Sequence, residues 1–168
     1  MEEAETNSVY LSLGSNLGDR EANLRAALAG LRAALEIEAV SSLYESDPVG
    51  PQNQSPFLNI AVRGRTELEP ADLLVRVKEL EAEIGRRPTY RWGPRVIDID
   101  IILYGNSTLR TPDLIIPHPE MANRAFVLVP LAEIAPVAGF PVLGASIAEL
   151  SEKVPGRETV RTVGRAPW

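Results

Sequence analysis

The sequence has no cysteine among its 168 residues and only one histidine. The lack of cysteine excludes disulfide bonds, a thiolate nucleophile and a zinc site built on thiolates. Any metal bound by this chain must therefore be held by oxygen atoms or by the single imidazole.

Long apolar runs are also missing. No stretch approaches the 18 residues that a transmembrane helix requires. The first residues, Met1 to Glu5, are acidic, whereas a secretory signal begins with basic residues. We therefore expect a cytoplasmic protein that does not enter a membrane.

Positive charge is the scarcer sign overall, since the chain has 17 Lys and Arg but 23 Asp and Glu, which gives a net charge of −6. A general nucleic-acid binder is more often basic. Residues 76–95 depart from the average, because they carry six cations and three anions. Arginine, which outnumbers lysine, binds phosphate oxygens in a bidentate way. The base composition of the genome explains the arginine preference equally well.

The length and the 45% hydrophobic content indicate one globular domain. We expect residues 1–8 to be a disordered acidic tail and residues 9–168 to form the domain. The predicted strands are 9–13, 37–45, 57–66 and 96–103, with a short extension at 108–109. The predicted helices begin after Asp19, with Leu24, Leu28, Leu31 and Leu35 on one face, and at Pro70, ending at Gly85.

The remaining segments are less regular. Residues 47–56, 85–94 and 112–119 are predicted loops, and 146–153 is a short helix candidate. Residues 126–134 are expected to form a strand followed by a helical turn. The order β-α-β-β-α-β indicates an α+β fold of the ferredoxin-like type, an antiparallel sheet with helices on its faces plus C-terminal additions.

Asp98 and Asp100 lie in the most apolar predicted strand. Side chains alternate along a strand, so Ile97, Ile99, Ile101 and Leu103 are expected on the core face and both aspartates on the other. Two neighbouring carboxylates repel each other unless a positive charge lies between them. Mg²⁺ prefers such oxygen ligands together with substrate phosphates. A solvent-facing strand edge is the alternative.

The predicted loop at 85–94 contains several arginines and Trp92, and it ends just before the aspartate strand. Arginines beside a carboxylate-bound metal suit a polyphosphate. A tryptophan among arginines also suits RNA bases, so the loop alone does not decide between the two ligands.

Four further positions are candidates for ligand contacts. His118, between two prolines, is a candidate phosphate donor or general acid, although a lone loop histidine is more often surface decoration. Asn59 has the donor and acceptor needed to bind the edge of a flat heterocycle, and Phe57 and Phe126 could stack on its faces. Core packing explains the two phenylalanines equally well.

Taken together, these segments resemble the family of 6-hydroxymethyl-7,8-dihydropterin pyrophosphokinases of folate biosynthesis. The matching motifs run in order from about residue 9 to residue 136. They are L-S-L-G-S-N-L-G at 11–18, D-P-V-G-P-Q at 47–52, F-L-N at 57–59, R-W-G-P-R-V-I-D-I-D-I-I-L-Y-G at 91–105 and P-H-P-E-M-A-N-R-A-F at 117–126.

The resemblance implies transfer of pyrophosphate from ATP to the hydroxymethyl group of the dihydropterin, with release of AMP. It implies that Asp98 and Asp100 bind two Mg²⁺ ions, and that Arg86 and Arg95 join them in catalysis. The positions implied in ATP binding are Lys78, Glu81, Arg86, Trp92, Arg95, His118 and Arg124. The positions implied in pterin binding are Ser46, Asp47, Val49, Phe57, Asn59, Trp92, Asp98 and Phe126.

Two positions depart from the family pattern. Pro88 stands where many members have arginine, so Arg87 or Arg91 is left to replace it, and Lys78 stands where some members have glutamine. We expect ATP and the pterin as substrates, no nucleic-acid partner, and a monomer, since nothing in the sequence demands a dimer. An RNA-binding module of the same fold and a metal-dependent phosphohydrolase are the alternative hypotheses.

Overall fold

The computed structural model describes residues 7–47, 54–86, 94–135 and 144–165. Within these ranges, the strands are β1 Asn7–Ser15, β2 Glu36–Val40, β3 Leu43–Ser46, β4 Phe57–Thr66, β5 Asp98–Tyr104, β6 Leu109–Arg110, β7 Ile115–Ile116 and β8 Val160–Gly164. The helices are α1 Arg20–Leu31, α2 Pro70–Ile84, α3 Ala125–Ile134 and α4 Ile147–Lys153, with short 3-10 turns at Met121–Asn123 and Arg157–Thr159.

Six strands form one antiparallel sheet in the order β5-β1-β4-β3-β8, and β2 also pairs with β4. The predicted β-α-β-β-α-β arrangement is confirmed in this sheet, in which the first strand lies between β5 and β4. Strands β6 and β7 form a separate small hairpin.

Helices α1 and α2 cover one face of the sheet, as predicted. The leucines Leu24, Leu28 and Leu31 of α1 are fully buried in the same core cluster as Leu11, Ile60 and Ile99 of the strands. The Asp19 side chain accepts a hydrogen bond from the backbone N–H of Ala22 and caps α1, as expected. Helix α2 starts at Pro70 and ends at Gly85, whose φ of 122° suits glycine.

The second core cluster lies on the opposite face, where α3 packs. The expectation of a strand at 126–134 is wrong, since Ala125–Ile134 is a helix. Val127, Leu128 and Leu131 are buried there together with Ala61 of β4. A helix that is buried on several sides is apolar all round, so its sequence lacks the helical alternation that would distinguish it from a strand.

A bulge in β5 corrects a second prediction. Leu11 faces Ile101 across the β1–β5 pair, and the next residue of β1, Tyr10, faces Leu103, so Ile102 is the extra residue. Ile102 and Leu103 therefore both belong to the α3 side. Leu103 does not share the face of Ile97, Ile99 and Ile101.

Several element boundaries also differ from the predictions. Strand β1 begins at Asn7, so residues 7 and 8 belong to the sheet rather than to a disordered tail, and residues 1–6 lie outside the described ranges. The predicted strand 37–45 is two strands that break at Ser41 and Ser42. Strand β8 was not predicted. In the part of the chain that the structure describes, none of the helices is long and apolar enough to cross a membrane.

Candidate active site

The candidate site lies on the face of the sheet opposite α1 and α2. Asp98 and Asp100 of β5 point to this face, and both are partly exposed. Their backbone partners on β1 are Gly14 and Ser12, respectively. Burial, and then the negative charge of Asp98, raise the pKa of Asp100 to about 7. Two neighbouring carboxylates repel each other when both are ionised, so this pair attracts a cation.

Gly14 connects the acidic strand to the next part of the site. It is paired with Asp98 on one side and with Asn59 on the other, so the three residues form one row across β5, β1 and β4. A Cβ at position 14 would lie 3.1 Å from Asn59 Oδ1 and 3.3 Å from Phe57 Cδ1. The absent side chain therefore leaves room between the carboxylates and the Phe57–Asn59 pair.

Asn59 is buried and has one polar atom without a partner. Its Nδ2 donates to Ser46 Oγ at 2.7 Å, which fixes the orientation of the amide. No donor among the described residues bonds its Oδ1. A buried acceptor of this kind is normally satisfied, and a flat ligand with an N–H edge would satisfy it.

Phe126 stands in the first turn of α3, on the same side of the sheet as Asn59. It is partly buried against the second core cluster. The guanidinium carbon of Arg124 lies 5.7 Å from the centre of its ring, within the range of a cation–π contact. The contact holds the cation above the functional face, where its charge lowers the pKa of Asp100.

Glu81 organises the cations next to the acidic strand. It is buried, and its Oε2 accepts from Arg86 Nη1 at 2.9 Å and from the backbone N–H of Ile99 at 2.8 Å. Its Oε1 accepts from Lys78 Nζ at 3.1 Å. Arg86 Nη1 also lies 3.4 Å from Asp98 Oδ1. One buried carboxylate thus anchors two cations beside Asp98.

A cleft of about 210 Å³ opens beside this cluster. Its lining includes Lys78, Asp100 and His118 together with apolar residues of β5 and of the β6–β7 hairpin. Complete ligand sites usually enclose about 300–1,000 Å³, so this cleft suits only part of a nucleotide.

His118 is oriented by two backbone contacts. The backbone N–H of His118 donates to the Ile102 carbonyl at 3.0 Å. The ring Nδ1 of His118 accepts from the backbone N–H of Glu120 at 3.2 Å. In the neutral ring the proton must then be on Nε2, which makes this atom a donor. Burial first, and then the charge of Arg124, lower the pKa of His118 and keep the ring neutral.

The two Asp residues are not a complete metal site by themselves. Across residues 7–47, 54–86, 94–135 and 144–165, no three His, Asp or Glu side chains come together as a metal-binding group. Mg²⁺ needs few protein ligands when substrate phosphates supply the rest, so the pair fits a magnesium–phosphate complex.

The structure brings most of the predicted site residues to this face or to the adjoining sheet edge at β5, where Lys78 and Glu81 reach in from α2. One group surrounds β5, namely Asp98, Asp100, Lys78, Glu81, Arg86, His118 and Arg124. A second group surrounds the end of β4, namely Ser46, Phe57, Asn59 and Phe126. Asp47 is exposed at the end of β3, 3.6 Å from Arg161 Nη1. Val49 and Trp92 lie outside the described residues, as do Pro88, Arg87 and Arg91.

The comparisons with known proteins agree with this geometry. The family model described as 7,8-dihydro-6-hydroxymethylpterin-pyrophosphokinase matches residues 10–136. The chain belongs to this family. It is therefore an ATP-dependent pyrophosphokinase of folate biosynthesis, and the fold class and the activity implied by the sequence motifs are confirmed.

Two curated relatives carry the name 2-amino-4-hydroxy-6-hydroxymethyldihydropteridine pyrophosphokinase. The Bacillus subtilis protein is 51% identical over 130 residues, which are 76% of this chain and 78% of the relative. The Pseudomonas aeruginosa protein is 43% identical over 157 residues, 88% of this chain and 97% of the relative.

Solved structures share the fold. Plasmodium falciparum HPPK-DHPS with pterin and p-hydroxybenzoate superposes with a TM-score of 0.75 at 19% identity. The match covers 96% of this chain and 46% of that one, so this pyrophosphokinase chain spans about half of the two-part protein.

Sequence reasoning missed two residues that shape the site. Gly14 and Asn16 belong to a motif that was noticed, but neither was given a role. The available signal for Gly14 was a glycine inside an apolar strand, which often marks a close approach of another group. Asn16 has no such signal, because its partners are distant in sequence.

Proposed function

We propose that this pyrophosphokinase binds ATP along β5 and 6-hydroxymethyl-7,8-dihydropterin over the end of β4. The row Asp98–Gly14–Asn59 carries this proposal. Strands in a sheet are about 4.8 Å apart, so the row spans about 10 Å between the carboxylate and the amide. This length is similar to the distance from the hydroxymethyl group of the pterin to the far edge of its ring.

The nucleotide half of the site consists of cations around the acidic strand. His118 would donate its Nε2–H to a phosphate or ribose oxygen, and Arg86, Arg95 and Arg124 would neutralise phosphate charge. Glu81 holds Arg86 in place, so the cation is oriented before the nucleotide arrives. Preorganised donors of this kind stabilise charge that develops on phosphate oxygens.

The pterin half consists of Asn59 with an aromatic ring on either side. The Oδ1 acceptor of Asn59 would bind an N–H on the ring edge, while Phe57 and Phe126 would stack on its faces. Ser46 acts through Asn59, because its hydroxyl orients the amide. Asp47, at the end of β3, belongs to the proposed set together with Val49 and Trp92.

Asp98 and Asp100 are proposed to hold two Mg²⁺ ions. Bound there, Mg²⁺ would neutralise phosphate oxygens and lower the pKa of a nearby hydroxyl. The pair fits this role, since it offers two oxygen ligands and leaves the remaining positions to ATP and water.

The proposed reaction is an in-line displacement at the β-phosphorus of ATP. The hydroxymethyl oxygen of the pterin forms a bond to this phosphorus, and the bond between the β-phosphorus and the oxygen bridging it to the α-phosphorus breaks. AMP leaves with the electron pair of the broken bond. The hydroxyl proton passes to water or to a carboxylate; no residue is a clear general base, although Asp98 comes closest to this role. Catalysis is mainly positioning and charge neutralisation.

The test is product analysis of the purified chain with MgATP, with and without the pterin. We expect AMP only when the pterin is present, in a one-to-one ratio with the pterin diphosphate. ADP or free phosphate formed without the pterin would favour the phosphohydrolase hypothesis. A salt-dependent gel shift with short RNA and no turnover would favour an RNA-binding module.

A monomeric state and a cytoplasmic location are also part of the proposal. Size-exclusion chromatography coupled to light scattering tests the oligomeric state.

A further inference from the structure

Asn16 has an unusual set of partners in the turn between β1 and α1. The residue is buried. Its Oδ1 accepts from the Arg95 backbone N–H at 2.7 Å, and its own N–H donates to the Arg95 carbonyl at 3.0 Å. Its Nδ2 donates to Gln54 Oε1 at 3.1 Å and to the Ser55 carbonyl at 3.2 Å.

These partners belong to the two different halves of the proposed site. Arg95 lies three residues before Asp98, at the start of the acidic strand. Ser55 lies two residues before Phe57, at the start of the strand that carries Asn59. Asn16 is separated from them by 79 and 39 residues, so its single amide joins segments that are distant in the chain.

We propose that Asn16 is a positioning residue that couples the nucleotide half of the site to the pterin half. It has no atom to spare for a substrate, because both amide hydrogens have acceptors and the Oδ1 has a donor. The carboxamide can do this because it carries two N–H donors and a carbonyl acceptor on one planar group. When bound nucleotide fixes the backbone of Arg95, Asn16 fixes Gln54 and Ser55, and the start of β4 is already in place for the pterin.

The inference rests on the proposed function and predicts a measurable coupling between the two substrates. Calorimetry would give the Kd of the pterin with and without α,β-methylene-ATP and Mg²⁺, an analogue in which the bond to be broken is replaced. We expect the analogue to tighten pterin binding at least about fivefold, the lower end of typical coupling between sites.

Asn16→Asp is the decisive variant. It keeps the shape of the side chain and the acceptor for the Arg95 N–H. It replaces the NH₂ donor by a carboxylate oxygen, which faces the two acceptors Gln54 Oε1 and the Ser55 carbonyl and cannot bond either of them. We expect the Kd of each substrate alone to remain within about twofold of the parent value. The factor by which the nucleotide analogue tightens pterin binding should fall to near one. The kinetic counterpart is a higher KM for the pterin at saturating MgATP.

The matched control is Asn23→Ala, since Asn23 lies in the first turn of α1 and its side chain reaches back to the same turn. The Asn23 Nδ2 donates to Ser15 Oγ and to the Leu17 carbonyl, at 3.1 and 2.9 Å, and contacts neither half of the site. This variant should lower the melting temperature while leaving the coupling unchanged. If Asn16→Asp does not fold, Gln54→Ala removes one acceptor on the pterin side and should lower the coupling partially.

The outcomes separate this inference from the function itself. A parent protein that makes no AMP with the pterin contradicts the proposed function. A parent that makes AMP but shows no coupling, or an Asn16→Asp chain that folds and keeps the full coupling, contradicts only the role of Asn16.

Discussion

Asp100 combines two unfavourable conditions, a low-dielectric surrounding and a neighbouring carboxylate. Replacing it with asparagine removes the charge and keeps the shape. We expect Asp100→Asn to lower kcat about 10²–10³-fold, the size of the loss when one electrostatic contact to the transition state is removed. Pterin binding should change much less, since Asp100 lies on the nucleotide side of β1.

Steady-state kinetics with MgATP and the pterin would measure this loss. Asp72→Asn is the matched control, because Asp72 lies in the first turn of α2 away from the acidic strand. A kcat for Asp100→Asn within a few fold of the parent would remove this aspartate from the proposed metal site.

Gly14 is a second residue whose effect is expected to be selective. In Gly14→Ala, the added methyl group approaches Asn59 Oδ1 and Phe57 within 3.1–3.3 Å, so both must move by a few tenths of an ångström. We expect the KM for the pterin to rise about tenfold, since small misplacements of binding groups are costly. The KM for MgATP should remain unchanged.

Kinetics at saturating concentrations of the other substrate would distinguish the two constants. Gly14→Val should show a larger effect in the same direction. Equal increases in both constants would instead indicate a general distortion of the sheet.

At the level of elements, β8 matters because it borders the pterin side of the site. Arg161 Nη2 on β8 lies 2.7 Å from Glu45 Oε1 on β3, and Arg161 Nη1 lies 3.6 Å from Asp47 Oδ1. Arg161→Ala should therefore loosen the end of β3. Because the arginine is half-exposed, we expect at most about a fivefold rise in the pterin KM, equivalent to about 1 kcal/mol.

The control for this prediction is Arg157→Ala, an exposed arginine in the turn just before β8. It should leave both KM values unchanged. A selective rise in the KM for MgATP after Arg161→Ala would contradict the assignment of β3 to the pterin side.

The elements differ in how well their sequences predicted them. Helix α2 and strand β4 were predicted with their observed bounds, since proline and glycine delimit the helix and the strand alternates polar and apolar residues. Helix α3 was misassigned because short apolar runs fit either structure. Its internal Pro130 also weakened the helical prediction. The bulge at Ile102 depends on pairing with β1, which no local pattern shows.

For the whole molecule, the ligand-free site is a source of instability at neutral pH. The pKa of Asp100 is about 7 in the folded chain, against 3.8 for an ordinary aspartate. Between these values the folded chain holds a proton that the unfolded chain has lost, so the contribution of Asp100 to the free energy of unfolding falls as pH rises from about 4 to 7.

Thermal unfolding in EDTA across this range would measure the slope, and Asp100→Asn should flatten it. The difference in melting temperature between this variant and the parent should be largest above pH 7. A contribution of Asp100 to the free energy of unfolding that grows as pH rises would contradict the raised pKa.

The distribution of the site over the sheet explains what the sequence could predict about function. The two aspartates were predicted to share a face because strand alternation is a local property. That Asp98, Gly14 and Asn59 form one row depends on the strand order β5-β1-β4, which follows only from the folded sheet. Family motifs identified the residues, and the register brought them together.

The position of Glu81 also bears on how the molecule avoids self-association. Strand β5 is an edge strand, and the backbone N–H of Ile99 points away from the sheet. Free N–H groups on an edge are a template on which a second chain can add a strand and begin to aggregate. The Glu81 carboxylate occupies this donor while holding Arg86. One side chain thus both covers a backbone donor at this edge and orients the cation proposed to bind phosphate, so a substitution of Glu81 would affect both properties.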